Sequence, residues 1–303
     1  MNIDKKISFC CLSYNHSAFV EECIKSIWNQ NYNNIEIIVL DDGSKDNSFE
    51  IIQQLEKQSP YPMTIITQKN SGNIGANFNK LISKATGDYI TFIACDDCFI
   101  ENTIPEKIDI LNNNDNIAFV CDSKIRAIDE NNNEIKDYPK MKLDKIKNPS
   151  AKDILKHDFK RIHSYYIQGA VYRKNIVDAV EGFDESCICD DIILRTKIAR
   201  YIIKNKKLKP KVLHKAGINY RRHSNNISSN NLRQIKAVAQ YYNKYWTNKT
   251  IPKKYKTWVK HYLYEDNCDI EAIYNLFKGK NYKIIKQLIF IENIKKRFKN
   301  FFK

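Results

Sequence analysis

The chain has no apolar run approaching the ~20 residues that a helix needs to cross a bilayer, so a membrane-spanning protein is not expected. Its opening residues, MNIDKKISFC, lack the layout of a secretion signal, which makes a cytoplasmic protein with reduced thiols the expectation. Nine cysteines scattered from Cys10 to Cys268 are an odd number and form no disulfide framework. Cys95-x-x-Cys98 and Cys187-x-Cys189 have thiolate spacing, but neither pair has a finger-like partner nearby, and zinc is not expected. Glycine is scarce, with 8 residues in 303, and no internal repeat is visible. Neither a helix-turn-helix nor an aromatic RNA-binding motif is found, so a nucleic-acid partner is not expected either.

What is present points to a real core. Hydrophobic residues make up 43%, with 18 Tyr and 14 Phe. The length suits one large domain, or a domain with an appendix. The formal net charge is +15. The first hundred residues are near balance and the last hundred carry most of the excess, which leaves an anionic membrane surface as one partner and a solvated Lys-rich face as the alternative.

Short apolar runs alternate with helical spacings along the first hundred residues. Strands are predicted at 7–12 (ISFCCL), 35–40 (IEIIVL), 63–67 and 89–94 (YITFIA), with helices at 19–28, 48–55 and 74–85. This cadence means βαβ units: an α/β fold with a mixed, mostly parallel sheet and helices on both faces. Further strands are expected at 117–126 and 167–172 and a helix at 191–203, with 131–148 a polar excursion. From about 232 onward the pattern is helical. The expected division is a domain over 1–230, with halves 1–100 and 101–230, and a basic helical region over 231–303.

Open α/β sheets bind ligands beyond the carboxyl ends of their strands. Ser13, Tyr14 and Asn15 follow the first predicted strand, Asp41 and Asp42 end the second, and Asp96 and Asp97 follow the fourth. All fall on one sheet edge. Adjacent carboxylates repel unless a cation or hydrogen bonds compensate. Asp96-Asp97 is therefore either a helix cap or a seat for a hard cation such as Mn2+ or Mg2+, held together with substrate phosphates.

With IVLDDGSKDNS at 38–48, NSGNIGANFN at 70–79 and ATGDYITFIACDD at 85–97, the sequence resembles glycosyltransferase family 2. The resemblance is close over residues 5 to about 100 and looser to about 225. It implies a GT-A nucleotide-binding fold and transfer of a sugar from a metal-bound nucleotide-sugar to an acceptor hydroxyl, with inversion. On this resemblance Tyr14 and Asp41 contact the nucleotide base, with Ser13, Asn15, Asp42 and Asn79 as neighbouring donor contacts. Asp96 and Asp97 match the end of the DxD-like motif, and Ala94 stands where the first aspartate is usual. Phe78 stands where many members have arginine.

Asp190-Asp191 opens the predicted helix at 191–203. Read alone, these acids favour the helix macrodipole; by resemblance Asp191, or else Asp190, is the general base. Gly169 falls where the family shapes the acceptor pocket and is also readable as a tight strand crossing. YRRHSNNIS at 220–228 resembles a family segment, which implies that His223 contacts metal or diphosphate and that Arg221 or Arg222 offsets phosphate charge; a structural histidine is the other reading.

Between 278 and 303 there are nine Lys or Arg and one Glu. Ile291, Ile294, Phe298 and Phe301 recur at helical steps among the lysines. Residues 285–303 thus suit the surface of an anionic membrane, which makes peripheral attachment and a lipid-linked saccharide acceptor expectations. The favoured donor is a UDP-sugar, with a dTDP-sugar second. A nucleotidyltransferase is the enzymatic alternative, but such enzymes open with a Gly-rich, Arg/Lys-bearing loop, and the first loop here is SYNHSAF.

Overall fold

Alternate side chains of a strand leave opposite faces of its sheet, and in the first strand both faces are apolar. In the computed structural model, which describes residues 5–136, 142–188, 191–224, 226–247, 249–263, 265, 268–276 and 290, strand β1 (Ile7–Ser13) is buried at every position. Ile7, Phe9 and Cys11 enter one core cluster, Cys10 and Leu12 the other. Helix α1 (Val20–Trp28) buries Val20, Cys23, Ile24 and Ile27, and leads to β2 (Ile35–Asp41), again wholly buried. Helix α2 (Ser48–Gln58), β3 (Met63–Thr67), α3 (Ile74–Lys84) and β4 (Tyr89–Ala94) complete the expected alternation. Asn73 caps α3, its side chain accepting from Ala76 N at 3.0 Å.

The second half brings β5 (Cys98–Phe99), α4 (Ile104–Asn112), β6 (Ile117–Ile128), α5 (Ala151–Arg161), β7 (Val171–Arg173), α6 (Lys174–Ala179), α7 (Asp191–Lys204) and β8 (Lys209–Arg221). The helices α8 (Asn231–Tyr245), α9 (Lys253–Tyr262) and α10 (Ile270–Leu276) follow. One eight-stranded sheet has the order β3-β2-β1-β4-β7-β6-β8-β5. The pairs β2–β3, β1–β2, β1–β4 and β6–β8 are parallel, and β7 and β5 pair antiparallel to their neighbours. Helices α1, α2 and α4 cover one face, and α3, α5, α6 and α7 the other.

Two expectations change. The strand at 167–172 shrinks to Val171–Arg173, because Gly169 turns at φ +74° and Gln168 bridges alone to Phe92. The long strand β8 was not foreseen. The expected C-terminal helical region is present and gains a packing partner: Ile192 and Ile193 of α7 share a core with Ile235, Val238, Tyr241 and Tyr242 of α8 and Tyr255 and Val259 of α9. The Asp190 and Cys189 expectations, and the tail at 285–303 apart from Phe290, lie outside the described residues. Cys95 and Cys187 sit in different core clusters, so they do not share a zinc site.

Candidate active site

The carboxyl ends of β1, β2 and β4 lie side by side, with Ser13 in register with Asp41 and Leu12 with Ala94. The loops that leave these ends are tied together by their own polar groups. Asn15, at φ +56°, donates its amide to Ser44 Oγ at 2.8 Å and accepts from Lys45 N at 2.7 Å. Asp41 accepts from Ser44 N at 2.9 Å and Ser44 Oγ at 2.5 Å. Gly43 turns between them at φ +73°, where a Cβ would fall 2.6 Å from Asn70 N, so only glycine fits. Tyr14 is half-buried at the mouth of this loop. Ser13 Oγ is buried with no hydrogen-bond partner among the described residues.

Asp42 takes a supporting position. Its carboxylate accepts from Gln68 Nε2 at 2.6 Å, Ser71 N at 2.9 Å and Gly72 N at 3.3 Å. Burial resists its ionisation, but these donors outweigh burial and hold its pKa below the ordinary aspartate value. Asn79 also faces protein: it donates to Phe183 O at 3.1 Å and Glu185 Oε1 at 2.8 Å, and accepts from Phe183 N at 2.8 Å. It thereby pins the 183–185 segment, which leads toward α7, onto α3.

The two adjacent aspartates separate in role. Asp97 is 2% exposed and turned inward, its Oδ1 accepting from Arg221 N at 2.7 Å. Burial, then the charge of Asp96, pushes its pKa well above the ordinary value. Its expected part as a metal ligand does not match this orientation. Asp96 faces two imidazoles: His223 Nε2 lies 3.1 Å from Oδ2, and His16 Nε2 lies 3.9 Å away. Asn226 Nδ2 donates to the same oxygen at 3.3 Å. Burial opposes the Asp96 charge, but His223 and His16 outweigh it, so its pKa falls below the usual value. Its other oxygen, Oδ1, is buried and finds no hydrogen-bond partner among the described residues. An oxygen left bare in a buried site is costly unless something else binds it.

Asp96 Oδ1 and His223 fit one hard cation whose remaining positions belong to substrate phosphates. Among the described residues no three His, Cys, Asp or Glu side chains already form a metal cage. With Ala94 at the place of a first carboxylate, one carboxylate oxygen and one imidazole are what the described residues offer such an ion.

Arg221, expected at a phosphate, is 1% exposed and committed elsewhere. It donates to Asp96 O at 3.0 Å, Glu22 Oε2 at 2.6 Å, Asn132 Oδ1 at 2.6 Å and Asp129 O at 3.2 Å, and it stacks 4.8 Å from the Phe19 ring. Its task is to hold the Asp96 peptide. Gly169 is likewise structural: a Cβ there would meet Ile218 Cγ2 at 2.6 Å, and its carbonyl accepts from buried Lys107 Nζ at 2.6 Å. The requirement is a tight crossing of chain segments, the second of its two sequence readings.

Asp191 opens α7 and is part-exposed. Its Oδ2 accepts from Arg195 Nη1 at 2.6 Å. Arg195, 1% exposed, also pairs with buried Asp158 at 3.1 Å and donates to Tyr165 O at 2.8 Å, so it is fixed from three sides. A carboxylate held by one oxygen, with solvent beside it, is placed to accept a proton through the other. His16, Glu22 and Asn226 had not been singled out in the sequence. His16 and Glu22 belong to no motif and Asn226 had no role within its segment; packing brings His16 and Asn226 to Asp96, and Glu22 to Arg221.

Comparison with known proteins agrees with this geometry. The model described as "Glycosyl transferase family 2" matches residues 8–180. GlyG of Streptococcus pneumoniae, a glycosyltransferase, is 42% identical over 30% of this chain and 30% of its own length. The GalNAc(5)-diNAcBac-PP-undecaprenol beta-1,3-glucosyltransferase of Campylobacter jejuni is 29% identical over 51% of this chain and 48% of its own length. The matched part spans less than half of either relative. Among solved structures, Staphylococcus aureus TarS 1–349 in complex with UDP-GlcNAc superposes with a TM-score of 0.61 at 13% identity, covering 90% of this chain and 81% of that one. The Pyrobaculum calidifontis mannosyltransferase in complex with GDP-Man and Mn2+ also reaches 0.61 at 13% identity, covering 96% of this chain and 74% of that one. At this identity the two structures speak for the GT-A fold alone. With the family match extending over more than half of the chain, this protein belongs to glycosyltransferase family 2.

Proposed function

We propose that the chain is an inverting transferase that moves a sugar from a nucleotide-sugar, with UDP as the favoured nucleotide, onto a hydroxyl of a saccharide acceptor in surface-polysaccharide or lipooligosaccharide assembly. The observation that carries the reading is the buried, partnerless Oδ1 of Asp96 beside His223, at the same sheet edge as Tyr14 and Asp41. A UDP-sugar in one structural neighbour, GDP-Man with Mn2+ in another, and a polyprenol-linked acceptor in a relative's name support it.

In this reading Tyr14 stacks on the base and Asp41 accepts a hydrogen bond from it. Asp96 and His223 would hold Mn2+ or Mg2+, which when bound would supply positive charge to offset that of the departing diphosphate. Arg221 keeps the Asp96 backbone in place. Asp191 takes the acceptor's proton through the oxygen that Arg195 does not bind, as that hydroxyl attacks the anomeric carbon. Arg195 keeps the carboxylate oriented. Peripheral attachment through 285–303 belongs to the same proposal.

A thermal-shift panel of nucleotide-sugars with Mn2+ tests the reading. One UDP-sugar should raise the midpoint, release UDP slowly without acceptor, and lose both effects in EDTA. A folded protein that neither shifts nor releases nucleotide with any donor overturns it.

A further inference from the structure

Helix α9 reads KKYKTWVKHY, with four lysines, one histidine and no acid. It buries Tyr255, Val259 and Tyr262 on one side. Lys253, Lys254, Lys256, Lys260, His261 and Thr257 fall on the remaining arc, so nearly its whole outward face is basic. Helix α5 packs against α9 and repeats the pattern. Ala151, Ile154 and Asp158 point inward, while Lys152, Lys156 and Lys160, one turn apart, are exposed. The two helices carry eight Lys or Arg against two Asp, and one of those, Asp158, is buried on Arg195. The face lies beside the site: Asp158 of α5 pairs at 3.1 Å with Arg195, whose guanidinium also holds Asp191 at 2.6 Å.

We infer that the α5–α9 face docks on an anionic lipid surface and so brings acceptors held there to Asp191. Three observations favour lipid over a nucleic acid. Seven of the eight cations are lysine, a compact point charge suited to a diffuse headgroup layer, whereas forked recognition of individual phosphates favours arginine. Part-exposed Trp258 stands among the α9 lysines, in keeping with an aromatic ring at a membrane interface. Finally, both helices are short and carry their cations on exposed faces, in keeping with a broad headgroup layer. The inference rests on the proposed transferase reading only where it assigns Asp191 to the acceptor. It adds to the tail proposal a surface that belongs to the folded body.

The test is vesicle co-sedimentation of the full chain. Lys152→Glu, Lys156→Glu and Lys253→Glu are combined; all lie in the first two turns of their helices, where an acid suits the dipole. A control of equal charge change combines Lys57→Glu, Lys84→Glu and Lys207→Glu, exposed residues elsewhere. Each cation near an anionic surface contributes about fivefold in partition. Wild type should bind phosphatidylglycerol vesicles, weaken with salt, and ignore phosphatidylcholine vesicles. The face variant, which loses three cations and gains three anions, should bind at least ~100-fold more weakly while keeping its thermal midpoint, and the control should stay within a few-fold of wild type. Equal partition of the face variant and the control overturns the inference, as does binding to duplex DNA that exceeds vesicle binding and is lost in the face variant. Donor hydrolysis in solution reports separately on the transferase reading: its absence would sink that reading and leave the vesicle result standing.

Discussion

At Asp96 and Asp97, neighbours in sequence divide the work by the direction each side chain takes. Asp97 is spent on the Arg221 amide, and burial with the adjacent charge favours its protonated form. An amide in its place keeps the shape and an acceptor oxygen. Asp97→Asn should therefore retain the Mn2+-dependent thermal shift given by the cognate nucleotide-sugar. Asp96→Asn should lose it, because the carboxylate that presents the bare Oδ1 loses its charge. Equal loss in both variants would return Asp97 to the metal. Asp191→Asn should leave that shift intact and lower transfer by roughly 10²- to 10⁴-fold, the usual worth of a general base; retained turnover would remove Asp191 from the role. Asp41 and Asp96 stood out in the sequence as acids at the ends of apolar runs, and Asp191 through the family resemblance. His16, Glu22, Asn226 and the use of Arg221 were not, since their meaning comes from contacts made across 80 to 199 residues of chain.

Elements were legible in proportion to how fully they are buried. β1, β2 and β4 are apolar on both faces and read as unbroken runs. β8, KPKVLHKAGINYR, is a mixed string with Val212, Ile218 and Arg221 its fully buried side chains, and it becomes a strand by pairing along β6. Its absence from the sequence reading hid how Arg221 and His223 reach Asp96. Polar ties between elements were equally hidden. Glu36 of β2 accepts from Ser8 Oγ of β1 at 2.5 Å, from Thr86 N at 2.6 Å and from Gly87 N at 3.1 Å, with Lys6 Nζ at 2.5 Å. Burial resists its charge, but Lys6, Ser8 and Thr86 outweigh burial and lower its pKa. A lowered folded-state pKa contributes stability above the ordinary glutamate value and loses it as pH falls. Glu36→Gln should accordingly weaken the fold by about 2 kcal/mol at neutral pH, the scale of charge-assisted hydrogen bonds. The gap to wild type should narrow below pH ~4, where glutamate ordinarily titrates. Urea midpoints at both pH values measure it, and a constant gap would mean that the Glu36 charge contributes nothing.

For the molecule as a whole, the sequence divides at about 230 but the core does not. Charge and helical pattern change there, and those are surface properties and local periodicities. The burial that joins α7 to α8 and α9 runs between residues about forty to sixty positions apart, which no window on the sequence registers. Ile192 and Ile193, both fully buried, follow directly after Asp191, so the layer that covers them also fixes the first turn of α7. A chain ending at 230 would expose both. Each fully buried isoleucine is worth about 1.5–3 kcal/mol, so the loss is about 4 kcal/mol before any cost at Arg195. At roughly 2–4 °C per kcal/mol for a domain of this size, the midpoint should fall by about 10 °C. The Tyr14–Asp41–Asp96 edge, built from β1, β2 and β4, lies in other clusters and should keep its donor. Transfer should therefore fall much further than UDP release in the 1–230 truncation, with Asp191 no longer held. A truncated protein with an unchanged midpoint and full transfer would show that α8–α10 are indeed an appendix.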